Sequence, residues 1–202
     1  MKIVEPKVEI ITEQNPLKRI EIAGRTCWQS EGKITEDSAM PFVQRLIARK
    51  HMTPLEHARI EIPIDHWQGL NTNLSETIYG FDNRVVLTYE DMFLMNVRDY
   101  LAIGGDIQRV ADGEFAMADD YMTARFTCDI GMSRELLRHR VFSACERSTR
   151  YVRFNGEIEF VLPVPFEGYE TGEETLWCWR RSCERAEASY HELLSLGSSP
   201  QE

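Results

Sequence analysis

The sequence predicts an α/β protein of the α+β kind, with a central mixed or antiparallel sheet flanked by helices and an inserted lobe between two strands. Three observations support this fold class. Short segments at 7–11 and 58–64 alternate between apolar and polar residues, as half-buried strands do. Apolar residues recur every three or four positions over 38–50 and 176–193, which is typical of amphipathic helices. The stretch 66–124 has no dominant period and interrupts this order.

Length and composition indicate a water-soluble globular chain. It has 202 residues, of which 43% are hydrophobic and 28% are charged. This composition is too apolar for a disordered chain, and the length fits a single domain over 1–202. The formal net charge of −10 argues against a nucleic-acid partner held by bulk positive charge. Any anion must therefore bind to a local cluster of cations.

The sequence shows neither a targeting segment nor a metal motif. It has no run of 18 apolar residues, and Met1–Asn15 mixes Lys, Glu and Pro where a signal peptide needs an apolar stretch. We therefore expect a cytoplasmic protein with no membrane partner. The absence of C-x-x-C and H-E-x-x-H patterns leads us to expect reduced thiols and no metal. The cysteines are Cys27, Cys128, Cys145, Cys178 and Cys183.

Periodicity defines the first elements in order. The alternating residues 7–11 predict a strand. A helix is predicted over 38–50, where Pro41 is tolerable because it falls in the first turn. After Pro54, apolar residues at every second position predict a half-buried strand over 58–64.

The inserted lobe is expected at about 66–124, where Asn, Asp, Gly and Glu punctuate short apolar runs. Within it, a strand is predicted over 84–89 after a turn. A helix is predicted from Phe93 to Leu101 and ends at the Gly-Gly pair 104–105.

The second half of the chain shows a clearer pattern. Alternation predicts a strand over 126–130, and Ser133 is the expected N-cap of a helix that runs from Arg134. A further strand is predicted over 158–162. The last helix presents one apolar face from Leu176 to Leu193, and Gly197 ends it. This face is expected to pack on the sheet or on a partner subunit. Its apolar positions are Leu176, Trp179, Cys183, Ala186, Tyr190 and Leu193.

Arginine is concentrated in one segment of this acidic chain. Six of the 18 arginines lie within 134–153, and all five lysines lie at or before Lys50. A guanidinium is a planar fork that grips phosphate or carboxylate oxygens with two hydrogen bonds. The alternative is a solvated helix face, but like charges at Arg134 and Arg138 would repel each other there. An anion site is favoured; the six residues are Arg134, Arg138, Arg140, Arg147, Arg150 and Arg153.

The same segment contains a specific pattern. Arg138-His139-Arg140 is followed by seven residues and Ser148, with Glu146 in register. This pattern resembles the signature of the flavin-dependent thymidylate synthases. Two earlier blocks are also similar to that family: the early Ala-Arg segment at 23–27 and the Thr-Pro-x-Glu-His block at 51–57.

The resemblance implies a specific reaction, with its carbon donor and cofactor. Such an enzyme methylates dUMP to dTMP with methylenetetrahydrofolate as carbon donor and with FAD, reduced by NADPH, as hydride source. It implies a homotetramer with shared active sites between subunits. It also implies that no cysteine attacks the pyrimidine, so Cys145 is interpreted as a local substitution and not as a catalyst.

Residue roles follow from the resemblance alone. Ser148 and Arg150 are the expected catalytic residues, although no general base at readable spacing would make Ser148 a nucleophile. The residues expected to bind FAD are His51, Thr53, Arg138, His139, Arg140 and Glu146. The residues expected to bind dUMP are Glu135, Leu136, Leu137, Arg138, Glu146, Arg147, Ser148, Thr149 and Arg150.

Three neighbouring residues have competing interpretations. His51 is expected either near FAD or simply as a histidine beside the end of a helix. His57, which follows Glu56, is favoured as a structural residue. Tyr151 is favoured as a packed aromatic residue.

Two departures from the family pattern leave alternatives open. The insert at about 66–124 is atypical, and the C-terminal part of the family domain is expected to be absent after Glu202, where 199–202 resembles the lead-in to a further block. A flavin-dependent pyrimidine hydroxymethylase and a non-catalytic nucleotide-binding protein therefore stand beside the first hypothesis. The choice between NADH and NADPH is open too.

Overall fold

The computed structural model describes seven stretches of the chain, and these divide into two compact units. The core unit comprises 10–123 and 141–146, and the terminal unit comprises 1–9, 124–140 and 147–202. The described residues are 1–69, 86–87, 92–119, 121–139, 142–150, 152–163 and 172–199.

The core unit begins with helix α1, Pro16–Cys27, which the sequence analysis did not predict. Its N-cap is Asn15, whose side-chain oxygen accepts hydrogen bonds from the backbone N–H groups of Leu17 (3.0 Å) and Lys18 (3.1 Å). Leu17 and Ile20, three positions apart, are buried on one face of the helix.

Helix α2, Ala39–Ala48, confirms the helix predicted over 38–50 and packs against α1. The close approach depends on Gly24 of α1. A Cβ atom at that position would lie 2.7 Å from Cε1 of Phe42 on α2, so only glycine lets the two helices come this near. Phe42, Val43 and Leu46 are the large apolar side chains that α2 buries.

Three antiparallel strands form the sheet of the core unit in the order β3-β5-β4. They are β3, Arg59–Pro63, β4, Val86–Leu87, and β5, Met92–Asn96. Opposite Ile60 lies Met95, and opposite Ile62 lies Phe93; all four side chains are fully buried. The strand predicted over 58–64 is confirmed, although Ile64 lies beyond it in the 3₁₀ turn Ile64–Gly69 and is exposed.

The helix predicted from Phe93 is wrong in its first half. Phe93 lies in β5, and helix α3 covers only Val97–Ala102. The Asn96 side chain ends the strand and begins the helix, since it accepts a hydrogen bond from the backbone N–H of Asp99 at 2.9 Å. A further helix, α4, Ile107–Ala111, was not predicted.

The described part of the expected inserted lobe shares the core of this unit. Tyr100, Val110 and Phe115 are buried in the same cluster as Ile20 of α1 and Leu55. Whether the stretch is an insertion relative to the family stays a prediction. Of the strand predicted over 84–89, only Val86–Leu87 lies within the described residues.

Two further sheets, each of two strands, lie wholly or largely in the terminal unit. Strand β1, Lys2–Val4, pairs in parallel with β7, Glu159–Val161, which confirms a strand within 158–162. Strand β2, Lys7–Ile11, lies beside β6, Thr123–Thr127. The prediction for 7–11 is confirmed, while the strand predicted over 126–130 begins earlier and ends at Thr127.

The helices of the terminal unit are α5, Ile130–Leu136, and α6, Gly172–Ser195. Helix α6 confirms the final amphipathic prediction and ends before Gly197, whose φ of 98° continues the chain in a left-handed conformation. Only Cys183 of α6 is buried. Most of the apolar face therefore remains partly or fully accessible.

The fold class is mixed α and β. In place of one central sheet, the described residues form three small sheets of two or three strands with six α-helices. Within the described ranges, no helix has the length and apolar character needed to cross a membrane.

Candidate functional site

Helix α5 carries the first part of the arginine segment, and Asp129 begins it. The Asp129 side chain accepts a hydrogen bond from the backbone N–H of Met132 at 3.0 Å. The prediction of Ser133 as N-cap is therefore wrong, and the helix begins four residues before Arg134. A Cβ atom at Gly131 would lie 2.9 Å from the Asp129 carboxylate, so a larger residue there would require that side chain to shift.

The end of α5 presents an exposed group of polar side chains. Arg138 lies 3.4 Å from the carboxylate of Glu135, and both side chains are largely exposed to solvent. Such a pair contributes little to stability, so an incoming anion can compete for this guanidinium. His139 and Leu137 are exposed and Leu136 is half-buried. Arg140 lies outside the described residues.

A tight turn carries the second part of the segment. The Ser148 hydroxyl oxygen accepts a hydrogen bond from the backbone N–H of Arg150 at 3.2 Å. This local bond stabilises the turn and holds the backbone at Arg150. Arg150 and Thr149 are exposed, and Ser148 is half-buried. Tyr151 lies outside the described residues.

Arg147 is anchored to the sheet of the terminal unit. Both of its terminal nitrogens lie 3.4 Å from the carboxylate of Glu159 on β7. Lys2 lies 2.7 Å from the other oxygen of that carboxylate, and it is the largest cause that holds the pKa of Glu159 below its ordinary value. Arg147 thus has a structural partner, which a phosphate would have to displace or share.

Three of the predicted site residues lie in the core unit. His51 stacks on Trp28, with ring centroids 5.8 Å apart and an interplanar angle of 23°. His51 follows Lys50, whose positive φ of 58° turns the backbone away from the direction of α2. Thr53 is exposed and opens the 3₁₀ turn Thr53–His57, while Glu146 is half-buried.

The sequence analysis missed a carboxylate that joins three parts of the core unit. The Glu56 carboxylate accepts hydrogen bonds from Arg98 of α3 and from the hydroxyl group of Ser143. Its backbone oxygen accepts a third bond, at 3.0 Å, from the Tyr121 hydroxyl group. Glu56 thereby fixes the Thr53–His57 turn to the segment 142–146. The Pro-x-Glu-His spacing was visible in the sequence, but the partners at 98 and 143 were not.

His57 is buried beside this carboxylate. Its side chain is 9% exposed, and its Nε2 atom has no hydrogen-bond partner among the described residues. Burial lowers the pKa of His57 below its ordinary value, so the neutral ring is favoured.

An ion pair within α1 explains the Arg25 position of the early Ala-Arg block. Arg25 donates to the Glu21 carboxylate at 2.7 Å, and the two side chains are 7% and 0% exposed. Ser38 donates to the second oxygen of Glu21 at 2.9 Å. The Arg25 guanidinium also lies over the Phe42 ring, 4.7 Å from its centroid. The Arg25 guanidinium is therefore engaged by contacts within the core unit.

The predicted site residues thus fall into two groups. The terminal unit contains those between Glu135 and His139 together with those between Arg147 and Arg150, and the core unit contains His51, Thr53 and Glu146. Within the described stretches, no cluster of three His, Cys, Asp or Glu side chains is arranged to hold a metal ion.

Fold and sequence together define the class: an α+β protein with an arginine-rich segment over 134–153. Residues 117–202 match the model of a family described as thymidylate synthase complementing protein. The match covers less than half of the chain but contains the whole Arg-His-Arg pattern, and it confirms the resemblance to the flavin-dependent thymidylate synthase family. Comparisons with curated proteins and with solved structures found no match.

Proposed function

We propose that this chain is a flavin-dependent thymidylate synthase. In this proposal it methylates dUMP to dTMP, with methylenetetrahydrofolate as carbon donor and with FAD, reduced by NADPH, as hydride source. The observation that carries the proposal is the family match over 117–202, which contains Arg138-His139-Arg140 and Ser148 in register.

The dUMP phosphate is assigned to the turn at 147–150. Arg150 is exposed there, and its backbone is held by the Ser148 hydroxyl oxygen at 3.2 Å. A fixed backbone reduces the entropy lost when the guanidinium orders around a phosphate. Glu135 and Arg138, at the exposed end of α5, complete the polar groups assigned to the nucleotide; Leu136, Leu137, Glu146, Arg147 and Thr149 are assigned as further contacts.

The donor set also fits FAD, whose pyrophosphate and reduced ring are anionic. Arg138 and His139 are exposed donors on the terminal unit, and Thr53 and His51 are exposed on the core unit. Arg140 and Glu146 are assigned to the same cofactor. When bound and reduced, FAD supplies the hydride that completes the methyl group. The role of the protein side chains is to hold the anionic groups in place by fixed positive charge.

A homotetramer is part of the proposal, and the exposed apolar side chains on β2 and α5 support it. Val8 and Ile10 on β2 are more than half exposed, as are Ile130 and Met132 on α5. Large apolar side chains that are exposed to this extent are typical of residues at subunit interfaces. Light scattering of the purified chain measures the assembly directly. We also propose a cytoplasmic location.

The test is flavin retention followed by product analysis. The purified chain is mixed with FAD, desalted, and its absorbance is recorded. A retained flavin spectrum, followed by release of tritium from 5-tritiated dUMP in the presence of methylenetetrahydrofolate and NADPH, supports the proposal. Product mass then separates a methyl from a hydroxymethyl group, and the latter would favour the hydroxymethylase. Binding of dUMP without FAD and without turnover would favour the non-catalytic alternative.

A further inference from the structure

The backbone at the end of α1 closes in a Schellman motif. The N–H group of Ser30 donates to the carbonyl oxygen of Arg25 at 3.1 Å. The N–H group of Gln29 donates to that of Thr26 at 3.4 Å. The left-handed position of the motif, which glycine usually occupies, is taken by Gln29 with a φ of 46°. Trp28 is the residue directly before it.

The end of α2 repeats the same motif. The N–H group of His51 donates to the carbonyl oxygen of Leu46 at 2.9 Å. The N–H group of Lys50 donates to that of Ile47 at 3.0 Å, and Lys50 takes the left-handed position with a φ of 58°. These bonds fix the backbone at the point where the His51 side chain begins.

Both left-handed positions adjoin one pair of rings. Within the stretches that the structure describes, Gln29 and Lys50 are the two residues other than glycine with a positive φ. A Cβ atom makes this conformation sterically unfavourable, and residues that adopt it concentrate at functional sites. Trp28 precedes one of the two and His51 follows the other, so the strain lies where these rings meet.

The Trp28 indole is held by the core unit and supports the His51 imidazole. Trp28 is half-buried, packs against the hydrophobic core, and meets Phe42 of α2 edge to face with centroids 6.4 Å apart and an interplanar angle of 75°. His51 is exposed, and its ring stacks on the indole at 5.8 Å and 23°. An exposed side chain ordinarily samples several rotamers. Contact with a ring that is itself held restricts this sampling.

We propose that Trp28 is a positioning residue for FAD, which acts by holding the His51 ring in one orientation. The inference rests on the proposed function, in which His51 contacts FAD. A side chain that is already ordered loses less conformational entropy when a ligand binds to it. The sequence analysis gave Trp28 no role, because only the packing of α1 against α2 brings the two rings together.

Ring-current shifts in solution test the stack itself. The full chain is deuterated except at its five histidines, and the histidine ring protons are recorded in proton–carbon correlation spectra. His51→Ala identifies the His51 signal by its loss. In the wild-type chain the His51 ring protons should be shifted upfield, because they lie over the face of the indole. Trp28→Leu should move them to the position of a freely exposed histidine.

Two further variants make this measurement specific. Trp28→Phe keeps an aromatic face and should retain a smaller upfield shift, which decides the question even if Trp28→Leu does not fold. Trp177→Leu is the matched control, because Trp177 is exposed on α6 and its ring contacts Arg181 at 4.7 Å. This variant should leave the His51 signal unchanged. The same His51 shift in the wild-type chain and in both Trp28 variants would overturn the proposal.

A double-mutant cycle tests the effect on FAD. Titrations that follow flavin fluorescence give the dissociation constant of FAD for the wild type, for each single variant and for the double variant. Trp28→Leu should weaken binding by about 2- to 10-fold, the affinity equivalent of one aromatic pair. In the His51→Ala background the same change should have an effect below about 2-fold, because a positioning residue acts through the residue it holds. Trp28→Phe should recover most of the lost affinity, and Trp177→Leu should bind FAD as the wild type does.

The outcomes separate this inference from the proposed function. An equal loss of affinity from Trp28→Leu in both backgrounds would overturn the inference, because Trp28 would then act without His51. Unchanged affinity in Trp28→Leu would overturn it as well. If the wild-type chain itself retains no FAD, the proposed function and the assignment of His51 to FAD fail together. The His51 shift still decides whether Trp28 orients the ring.

Discussion

Ser143 donates a hydrogen bond to the carboxylate of Glu56 across 87 positions of sequence. The same carboxylate accepts a hydrogen bond from Arg98, so one acidic side chain joins the Thr53–His57 turn, α3 and the segment 142–146. Its side chain is only 15% exposed, and water can replace a lost partner only in part. These contacts connect the Thr-Pro-x-Glu-His block to the interior of the Arg-His-Arg pattern.

Replacing Ser143 with Ala should destabilise the core unit. The variant removes a donor to a poorly hydrated carboxylate, and such a bond contributes about 1.5–3 kcal/mol. Urea denaturation should give a loss in the free energy of unfolding near the lower end of that range, because Arg98 still pairs with Glu56. Ser182→Ala is the control: Ser182 is exposed on α6 and donates only to its own helix at Cys178, so a change within about 0.5 kcal/mol is expected. Equal losses in the two variants would contradict the assigned role of Ser143.

For the buried pair Glu21–Arg25 we predict a larger loss in the free energy of unfolding. Glu21→Ala leaves the Arg25 guanidinium buried without its carboxylate, and breaking a buried pair in this way costs about 3–5 kcal/mol. Glu9→Ala is the control, because the Glu9 pair with Lys7 is exposed and such pairs contribute about 0–1 kcal/mol. Denaturant titrations of both variants measure the difference. A loss below about 1 kcal/mol for Glu21→Ala would show that water reaches Arg25.

Local sequence patterns predicted the elements that depend on local chemistry. The helix at 38–50 and the strand at 58–64 were recovered because their apolar residues have a single clear period. Phe93 was placed in a helix because its spacing to Val97 suits one, but pairing with Ile62 in the sheet outweighs that spacing. Helix α1 was missed because charged residues within it, among them Glu21 and Arg25, are buried as a pair and blur its apolar face.

The features of the candidate site likewise differ in whether the sequence could predict them. The arginine segment and Ser148 could be predicted from one stretch of sequence, because the spacing between these residues is itself characteristic. Glu56 could not be assigned its partners, because Arg98 and Ser143 are brought to it by the fold and no local pattern connects them.

Arg150→Ala should weaken binding of dUMP. If Arg150 grips the phosphate, loss of a charge-assisted pair costs about 2–4 kcal/mol, which is roughly 30- to 1,000-fold in affinity. Arg185→Ala is the control, because Arg185 is exposed on α6 of the same unit and lies outside the arginine segment. Calorimetry with dUMP measures both. Unchanged affinity in Arg150→Ala would remove this residue from the nucleotide site.

His57 should make folding stability depend on pH. Burial lowers its pKa below the ordinary value of 6.5; Glu56 opposes this shift and Arg19 adds to it. As the pH falls below 6.5, the unfolded chain takes up a proton at this position that the folded chain does not. The free energy of unfolding should therefore decrease as the pH falls from 6.5 towards the folded-state pKa, and this contribution should level off below it.

Unfolding titrations at several pH values check this expectation. His57→Gln should flatten the decrease, because glutamine does not titrate. His139→Gln should retain it, since His139 is exposed at the end of α5. A decrease that is the same in all three chains would assign the effect to other groups.

The Tyr190 hydroxyl group and the Glu187 carboxylate each attach α6 to the stretch 152–158 of the terminal unit. The Tyr190 hydroxyl oxygen accepts a hydrogen bond from the backbone N–H of Phe154 at 3.1 Å, and the two rings meet edge to face with centroids 6.0 Å apart. The Glu187 carboxylate, one turn earlier on the helix, accepts a bond of 2.6 Å from the backbone N–H of Ile158. Because Cys183 is the only buried residue of α6, these two bonds are important for holding 152–158 against the helix.

Tyr190→Phe should keep the ring contact and remove only the hydrogen bond, at a cost of about 1 kcal/mol. The reciprocal control is Tyr121→Phe, which removes the 3.0 Å bond to the Glu56 backbone in the core unit. Amide hydrogen exchange resolves the two sites. Exchange should accelerate at 152–158 in Tyr190→Phe and at 53–57 in Tyr121→Phe, with little change at the other segment. If both variants accelerated exchange at both segments equally, the opening event would be global unfolding, and the local role of Tyr190 would be lost.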